Sequence, residues 1–525
     1  MTLDIVPTIG APSRLTRLDA YLDHYMAIVP TRDAAVFGEQ RWSYTIMRQE
    51  VDRYARALLA SGVHPGDRVA TLSYSHALTW IQALATTSIG AIWLGLNPKY
   101  TATELAWPLE DAAPTLLLSA GSAAPKLASL ADSPTMPTQI STAADLETFL
   151  SRGAALDPAR LTAARAAAGG QQPAAIVYTS GSTGRPKGAL ISHQSLIDCA
   201  LVQAGRWFDF VPTCVNDLPI NHIGWLGDIC CSALIAGGTL HFREHFDPAA
   251  TLRLIEQERL TVWGGVPTMF LFAVQTPEFQ SCDLSSLRRI IWEGAAMPSD
   301  LVGLLALRGV PIATGFSMTE TVGLVTYSDD GDDITTLATT IGRVDPHYAV
   351  RLMGADGALV GQDQPGEIQV HATTNFLGYW CNPDATVAAF TSDGWLRTGD
   401  LAVQRADGRL QLVGRSTEQF KSGGYNVYPL EVEQALEAHP AVLAATVIGV
   451  PDTTYGEVGY AFVMPMPGTT LHAEELNVFL RERLANYKLP KQIFFEPMLP
   501  MLPIGKIDRV ALRKRAHALA AAASA

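Results

Sequence analysis

Short apolar runs separated by helical stripes set the pattern of the chain. Leu15, Leu18, Leu22 and Tyr25 recur at helical spacing, and Thr45 to Ser61 carries a second stripe ended by Gly62. Arg68–Ser73 reads as a short buried strand, followed by a helix over Ala77–Ile89, a strand near Ala91–Leu94, a helix over 102–111 and a strand over 115–119. Repeated β–α alternation predicts a mainly parallel sheet with helices on both faces. Residues 121–172, rich in Ala, Ser, Thr and Pro, read as a variable surface segment.

The alternation then resumes. Helices over 194–204, 225–236, 248–258, 268–275 and 298–308 alternate with strands over 214–219, 239–242, 261–264, 288–293 and 311–314. Ligands of such sheets collect beyond the carboxyl ends of the strands. That favours the loops 220–225, 293–297 and 315–320 as site positions. From Ile341 to Val413, short strands punctuated by Asp356-Gly357, Asp393-Gly394 and Asp407-Gly408 predict an antiparallel β lobe. A small α+β unit follows from about Ser416.

Composition narrows the function classes. At 525 residues, with 48% apolar and 17% charged side chains, the chain has ample core for about three lobes. A net charge of −13 argues against a nucleic-acid or anionic-membrane surface, so an anionic ligand must be met by local cations. The 6 cysteines show no C-x-x-C spacing and read as buried small hydrophobes, which fits a reducing, cytoplasmic setting. Met1–Pro7 lacks a basic n-region, and the apolar stretch Ala77–Leu96 is interrupted by Thr79, Gln82, Thr86, Thr87 and Ser88, so a buried helix is expected there rather than an integral membrane segment.

The densest chemistry lies in Tyr178–Ala189, where Thr179, Ser180, Gly181, Ser182, Thr183 and Gly184 precede Lys187. Hydroxyls, glycine-freed backbone N–H groups and one ammonium make a clasp for phosphate oxygens. The order does not fit the P-loop pattern, because Pro186 separates Arg185 from Lys187 and Gly188 follows the lysine.

This clasp, Gly315-Phe316-Ser317-Met318-Thr319-Glu320, Gly378-Tyr379-Trp380 with Asn382-Pro383, Asp393–Asp400, Gly414-Arg415, Lys421–Pro429 and Gly505-Lys506-Ile507 occur in one order. Together they resemble the adenylate-forming enzymes, and among them an acyl-CoA synthetase. The resemblance covers nearly the whole chain. It implies an α/β fold: a large N-terminal domain of doubly wound sheets plus a β lobe over 1–415, and a small mobile α+β domain over 416–525, hinged near Thr417 where many relatives carry Asp or Lys.

The implied activity joins a carboxylic acid to ATP as acyl-AMP, releasing pyrophosphate, and then to coenzyme A. By resemblance, the clasp holds the β- and γ-phosphates, Phe316 stacks on adenine, Thr319 donates to the α-phosphate and Glu320 helps hold Mg²⁺. Asp400 and Arg415 meet the ribose. Lys506 bridges the substrate carboxylate and the α-phosphate. Lys421, Gly423 and Gly424 belong to the thioester-forming face.

His222 lies in Leu218–Trp225, where relatives often have Pro-x-Phe-His, and either gates the acyl tunnel or hydrogen-bonds its neighbours. Trp225, Trp263, Gly264, Gly265, Val266, Glu293, Gly294, Ala295 and Ala296 are expected to line the acyl or adenine cavity. Asp217 and Asp228 flank the His222 segment, and neither stands where relatives meet an α-ammonium. The acid is thus expected to be hydrophobic, fatty or aryl. Loading of an acyl carrier protein in trans, or a non-catalytic nucleotide-binding role, are the alternative readings.

Overall fold

The computed structural model describes residues 12, 14–119, 123, 138–140, 143–179, 185–502 and 506–524. Ser180, Gly181, Ser182, Thr183 and Gly184 of the clasp, and Pro503–Gly505, lie outside the described residues.

Two seven-stranded sheets dominate. In the first, the strands run in the order Ile312–Thr314, Arg289–Trp292, Val262–Gly265, Thr213–Asn216, Thr239–Phe242, Asp33–Phe37 and Gln40–Ser43, all parallel except the last pair. The second contains the parallel strands Thr138–Ile140, Leu116–Ser119, Arg68–Leu72, Ile92–Leu96 and Pro173–Thr179, to which Lys187–Ser192 and Gly378–Tyr379 add antiparallel. Several of these strands are short and buried throughout, as Ile92–Leu96 and Arg289–Trp292 show, because both faces are covered. The expected β lobe is a four-stranded antiparallel sheet built from Ala349–Met353, Gly366–His371, Leu396–Gln404 and Leu410–Arg415.

Beyond Arg415 a separate sheet forms from Phe420–Ser422, Tyr425–Val427, Val442–Asp452, Gly456–Pro465 and Gln492–Phe495, backed by helices Pro429–Glu437, Ala473–Arg481 and Arg509–Ser524. Its two hydrophobic clusters contain only residues from Phe420 onward, while the main cluster runs from Leu15 to Leu412. No helix among the described residues is long and apolar enough to cross a membrane.

Three expectations change. The first stripe is helical only over Ala20–Ile28, so Leu18 enters the core from the preceding turn. The segment 121–172 is not mere surface. Its helices Ala143–Arg152 and Pro158–Ala167 bury Phe149, Leu150 and Leu161 in the main core, an amphipathicity that the Ala-rich composition hides.

The third concerns Trp225, which is packed inside an aromatic cluster. It is 0% exposed, stacks on Trp93 with centroids 5.6 Å apart, meets Trp80 edge-on at 6.0 Å, and donates its indole N–H to Ser75 Oγ at 2.9 Å. Its ring joins the two sheets, Trp93 lying on one and Phe242, 6.1 Å away, on the other. Trp225→Ala should therefore destabilise the protein by about 3–5 kcal/mol, seen as a lower thermal unfolding midpoint. An unchanged midpoint with only the acid KM altered would restore the cavity-lining role.

Candidate active site

The carboxyl ends of Thr213–Asn216, Val262–Gly265, Arg289–Trp292 and Ile312–Thr314 face one edge of the first sheet, and the loops leaving them carry His222, Glu293-Gly294 and Ser317–Glu320. Gly265 pairs with Trp292 in register, and its carbonyl accepts the Glu293 N–H at 3.2 Å. Gly265, Glu293 and Gly294 are thus neighbours by sheet geometry alone. Gly294, Ala295 and Ala296 are exposed beyond the strand end.

Lys506 reaches this edge from the C-terminal unit. Its carbonyl accepts the Leu502 N–H at 2.7 Å, and Met501 bridges Ile507, which anchors the lysine backbone against Met501–Leu502. A Cβ added to Gly294 would stand 3.1 Å from Lys506 Cε and 3.2 Å from Nζ. Gly294 also has a φ of +84°, so both backbone conformation and lysine approach call for glycine.

Partial burial and the nearby Arg415 guanidinium lower the Lys506 pKa, while the carboxylates of Asp400 and Glu293 oppose that shift. Asp400, 7% exposed, accepts from Arg415 Nε at 2.9 Å, and burial raises its pKa against the pull of Arg415 and Lys506. The two face each other across the pair of strands ending the β lobe. Just past Arg415, Glu418 binds Arg509 at 3.1 Å, and Arg509 also binds buried Glu433 at 2.7 Å, tying this segment to the helix that follows Lys506.

Glu320, also 7% exposed, lies in the one-turn segment Thr319–Thr321. Its Oε1 accepts from the Tyr379 hydroxyl at 2.7 Å and its carbonyl from the Phe376 N–H at 2.8 Å. Lys187 Nζ sits 4.4 Å from the centre of the same Tyr379 ring, so Lys187 and Glu320 flank one tyrosine. Thr179 pairs with Lys187 in register, so the strands on either side of the clasp run antiparallel. Tyr379 is the residue whose part was not apparent from sequence, although its motif was. Val322, in the left-handed region at φ 65°, marks a strained backbone next to this turn.

Other candidates are placed differently. Phe316 keeps 6% of its surface and belongs to the main core. His222 accepts the Gly224 N–H at Nδ1 over 3.2 Å, which leaves the ring proton on Nε2. Burial and the Lys506 charge push its pKa down to about 4, so the ring is neutral. Lys421, Gly423 and Gly424 stand on an exposed hairpin of the C-terminal sheet. Ser422 pairs with Tyr425, and the two glycines at φ 58° and 87° form the two-residue turn between them, a local reason for both.

No group of three or more His, Cys, Asp or Glu side chains that could hold a metal occurs among the described residues. A single carboxylate such as that of Glu320 would suit Mg²⁺, which takes one or two carboxylates and completes its shell with substrate phosphates.

Residues 22–380 match the family of AMP-binding enzymes, and residues 431–506 match the AMP-binding enzyme C-terminal domain. A feruloyl-CoA synthase of Amycolatopsis sp. is 36% identical over 93% of this chain and 96% of its own length. An indoleacetate–CoA ligase of Aromatoleum aromaticum is 34% identical over 95% of this chain and 98% of its own. The solved structure of a fatty acyl CoA synthetase of Mycobacterium tuberculosis superposes with a TM-score of 0.76 at 29% identity, covering 96% of this chain and 99% of that one. The chain belongs to the AMP-binding, adenylate-forming enzymes and is an AMP-forming acid–CoA ligase.

Proposed function

We propose that the protein activates a hydrophobic carboxylic acid, aryl or fatty, as acyl-AMP and then transfers the acyl group to coenzyme A. The observation that carries this reading is the Lys506 ammonium resting on Gly294, beside the Asp400–Arg415 pair, at the carboxyl edge of the first sheet. A carboxylate attacking a polyphosphate brings anion to anion. A positioned, partly desolvated cation at that junction does more than one in open water.

In this reading Lys506 meets the substrate carboxylate and the α-phosphate, Thr319 donates to the same phosphate, and Asp400 with Arg415 takes the ribose hydroxyls. Ser180–Gly184 and Lys187 hold the β- and γ-phosphates. Glu320, oriented by the Tyr379 hydroxyl, is the protein ligand for Mg²⁺, which supplies charge neutralisation when bound. His222 stays neutral beside Lys506, and so does not compete with it for the carboxylate.

Lys421 and the Gly423-Gly424 turn serve the thioester half-reaction, which requires the C-terminal unit to turn about the segment after Arg415. We place the domain boundary there, at 415/416, with the Glu418–Arg509 ion pair holding the adenylating arrangement. The names of the curated relatives, feruloyl-CoA synthase and indoleacetate–CoA ligase, favour an aryl over an alkyl acid.

Lys506→Ala should reduce acid-dependent ATP–pyrophosphate exchange by at least ~10²-fold while sparing CoA thioester formation from supplied acyl-AMP. Normal pyrophosphate release by the variant would refute the assignment. Lys506 should also deprotonate at a lower pH than an exposed lysine, as read by competitive amine labelling across pH. Arg415→Ala removes a neighbouring positive charge and should raise that midpoint, whereas Asp400→Asn removes a negative one and should lower it further. Identical midpoints in all three proteins would contradict the electrostatic account.

A further inference from the structure

A second set of charged groups lies next to Lys506. Glu293 directly precedes Gly294, and its Oε2 accepts from the Ser317 hydroxyl at 3.0 Å. Its carboxyl also meets that of Asp228, from the segment Gly224–Cys231, which is wound as a π-helix. Such wide turns recur at functional sites because they redirect a side chain out of the helical row.

Asp228 is 7% exposed, and its Oδ1 has no hydrogen-bond partner among the described residues. That oxygen points to backbone rather than to a cation: a Cβ on Gly323 would lie 2.9 Å from it and 2.4 Å from the sulfur of buried Cys199. A side chain at 323 would not fit there. From Lys506 inward the order is therefore Gly294, Glu293, Asp228 and then Gly323 with Cys199.

Two carboxyls in contact away from water do not both ionise. Burial and the Glu293 charge raise the Asp228 pKa well above the carboxylate range, and burial pushes Glu293 up to about 7 against the opposing effects of Ser317, Lys506 and Asp228. Asp228 is the neutral member and donates its proton to Glu293. The pair carries one negative charge and retains unfilled acceptor positions on both residues. A buried acceptor without a donor is costly, and an alkyl chain laid against it would perpetuate that cost.

We propose that Asp228 and Glu293 form a recognition pair at the inner end of the acyl site, selecting acids whose tail carries a hydrogen-bond donor: an aromatic hydroxyl, an amine or a ring N–H. This rests on the acid–CoA ligase reading, with the carboxylate at Lys506 and the tail running inward. A plain hydrocarbon tail leaves the Asp228 oxygen unpartnered, and a tail ending in a second carboxylate meets the pair's negative charge. Both classes are disfavoured. The geometry also explains why an acidic residue is tolerated within an otherwise apolar segment beside Trp225.

The test is acid-dependent ATP–pyrophosphate exchange with 3-phenylpropanoate and its ring-hydroxy, ring-amino, ring-methoxy and ring-methyl forms, together with octanoate. The hydroxy and amino acids should exceed the methoxy and methyl acids in kcat/KM by at least ~10-fold. Asp228→Leu should abolish or invert that order with the KM for ATP unchanged, and Asp228→Asn, which keeps the shape, should weaken it. Glu293→Gln should penalise the amino acid more than the hydroxy acid, because it removes charge. Donor-bearing acids no better than their methyl counterparts, or a preference surviving Asp228→Leu, Asp228→Asn and Glu293→Gln, would overturn the pair's role while leaving the ligase reading intact. No exchange with any acid would overturn that reading and the pair's role with it.

Discussion

The arrangement depends on holding one lysine ammonium partly out of water, at the junction of two units of the chain. Desolvation and the Arg415 guanidinium both work against the charged form of Lys506, and the carboxylates of Asp400 and Glu293 work for it. Neither carboxylate lies in the same unit as the lysine. Those carboxylates act on the lysine where it approaches Gly294, so the site draws on both units of the chain.

The parallel sheet explains why so many separated residues meet. Strands that run side by side in one direction deliver their following loops to a single edge, and here those loops supply His222, Glu293-Gly294 and Ser317–Glu320. Other elements add what the edge lacks: the clasp strands bring Lys187 against Tyr379, the β lobe brings Asp400 and Arg415, and the C-terminal unit brings Lys506. Tyr379 links two of these contributions by orienting Glu320 with its hydroxyl and facing Lys187 with its ring. The rigid part of this framework is the aromatic seam around Trp225, whose stack on Trp93 and bond to Ser75 pin the π-helical segment behind the acyl site.

Much of this was legible in the amino-acid order. Buried parallel strands appear as short apolar runs, so Arg68–Leu72, Thr239–Phe242 and Ile312–Thr314 fall close to where the pattern predicts them. Motif loops are contiguous in sequence, and so Glu320, Asp400, Arg415 and Lys506 were recognisable as candidates before any geometry. Properties that depend on tertiary approach were not. A tryptophan beside a pocket segment looks the same whether it lines the pocket or closes the core behind it, and Phe316 poses the same ambiguity. Asp228 and Glu293 sit on different elements, and nothing in either local sequence says that their carboxyls touch. Gly423-Gly424 reads as a ligand loop or as a hairpin turn until the pairing of Ser422 with Tyr425 is known.

The central claim is that this chain joins acid and nucleotide through the carboxylate oxygen at Lys506. Its most direct test is isotope transfer from a carboxylate labelled in both oxygens with ¹⁸O, followed by mass analysis of the AMP and pyrophosphate formed in the presence of coenzyme A. The expected result is one ¹⁸O in AMP and none in pyrophosphate, because the oxygen that attacked the α-phosphorus stays on it when the thiol displaces AMP from the acyl carbon. Unlabelled AMP, or label in pyrophosphate or inorganic phosphate, would contradict it.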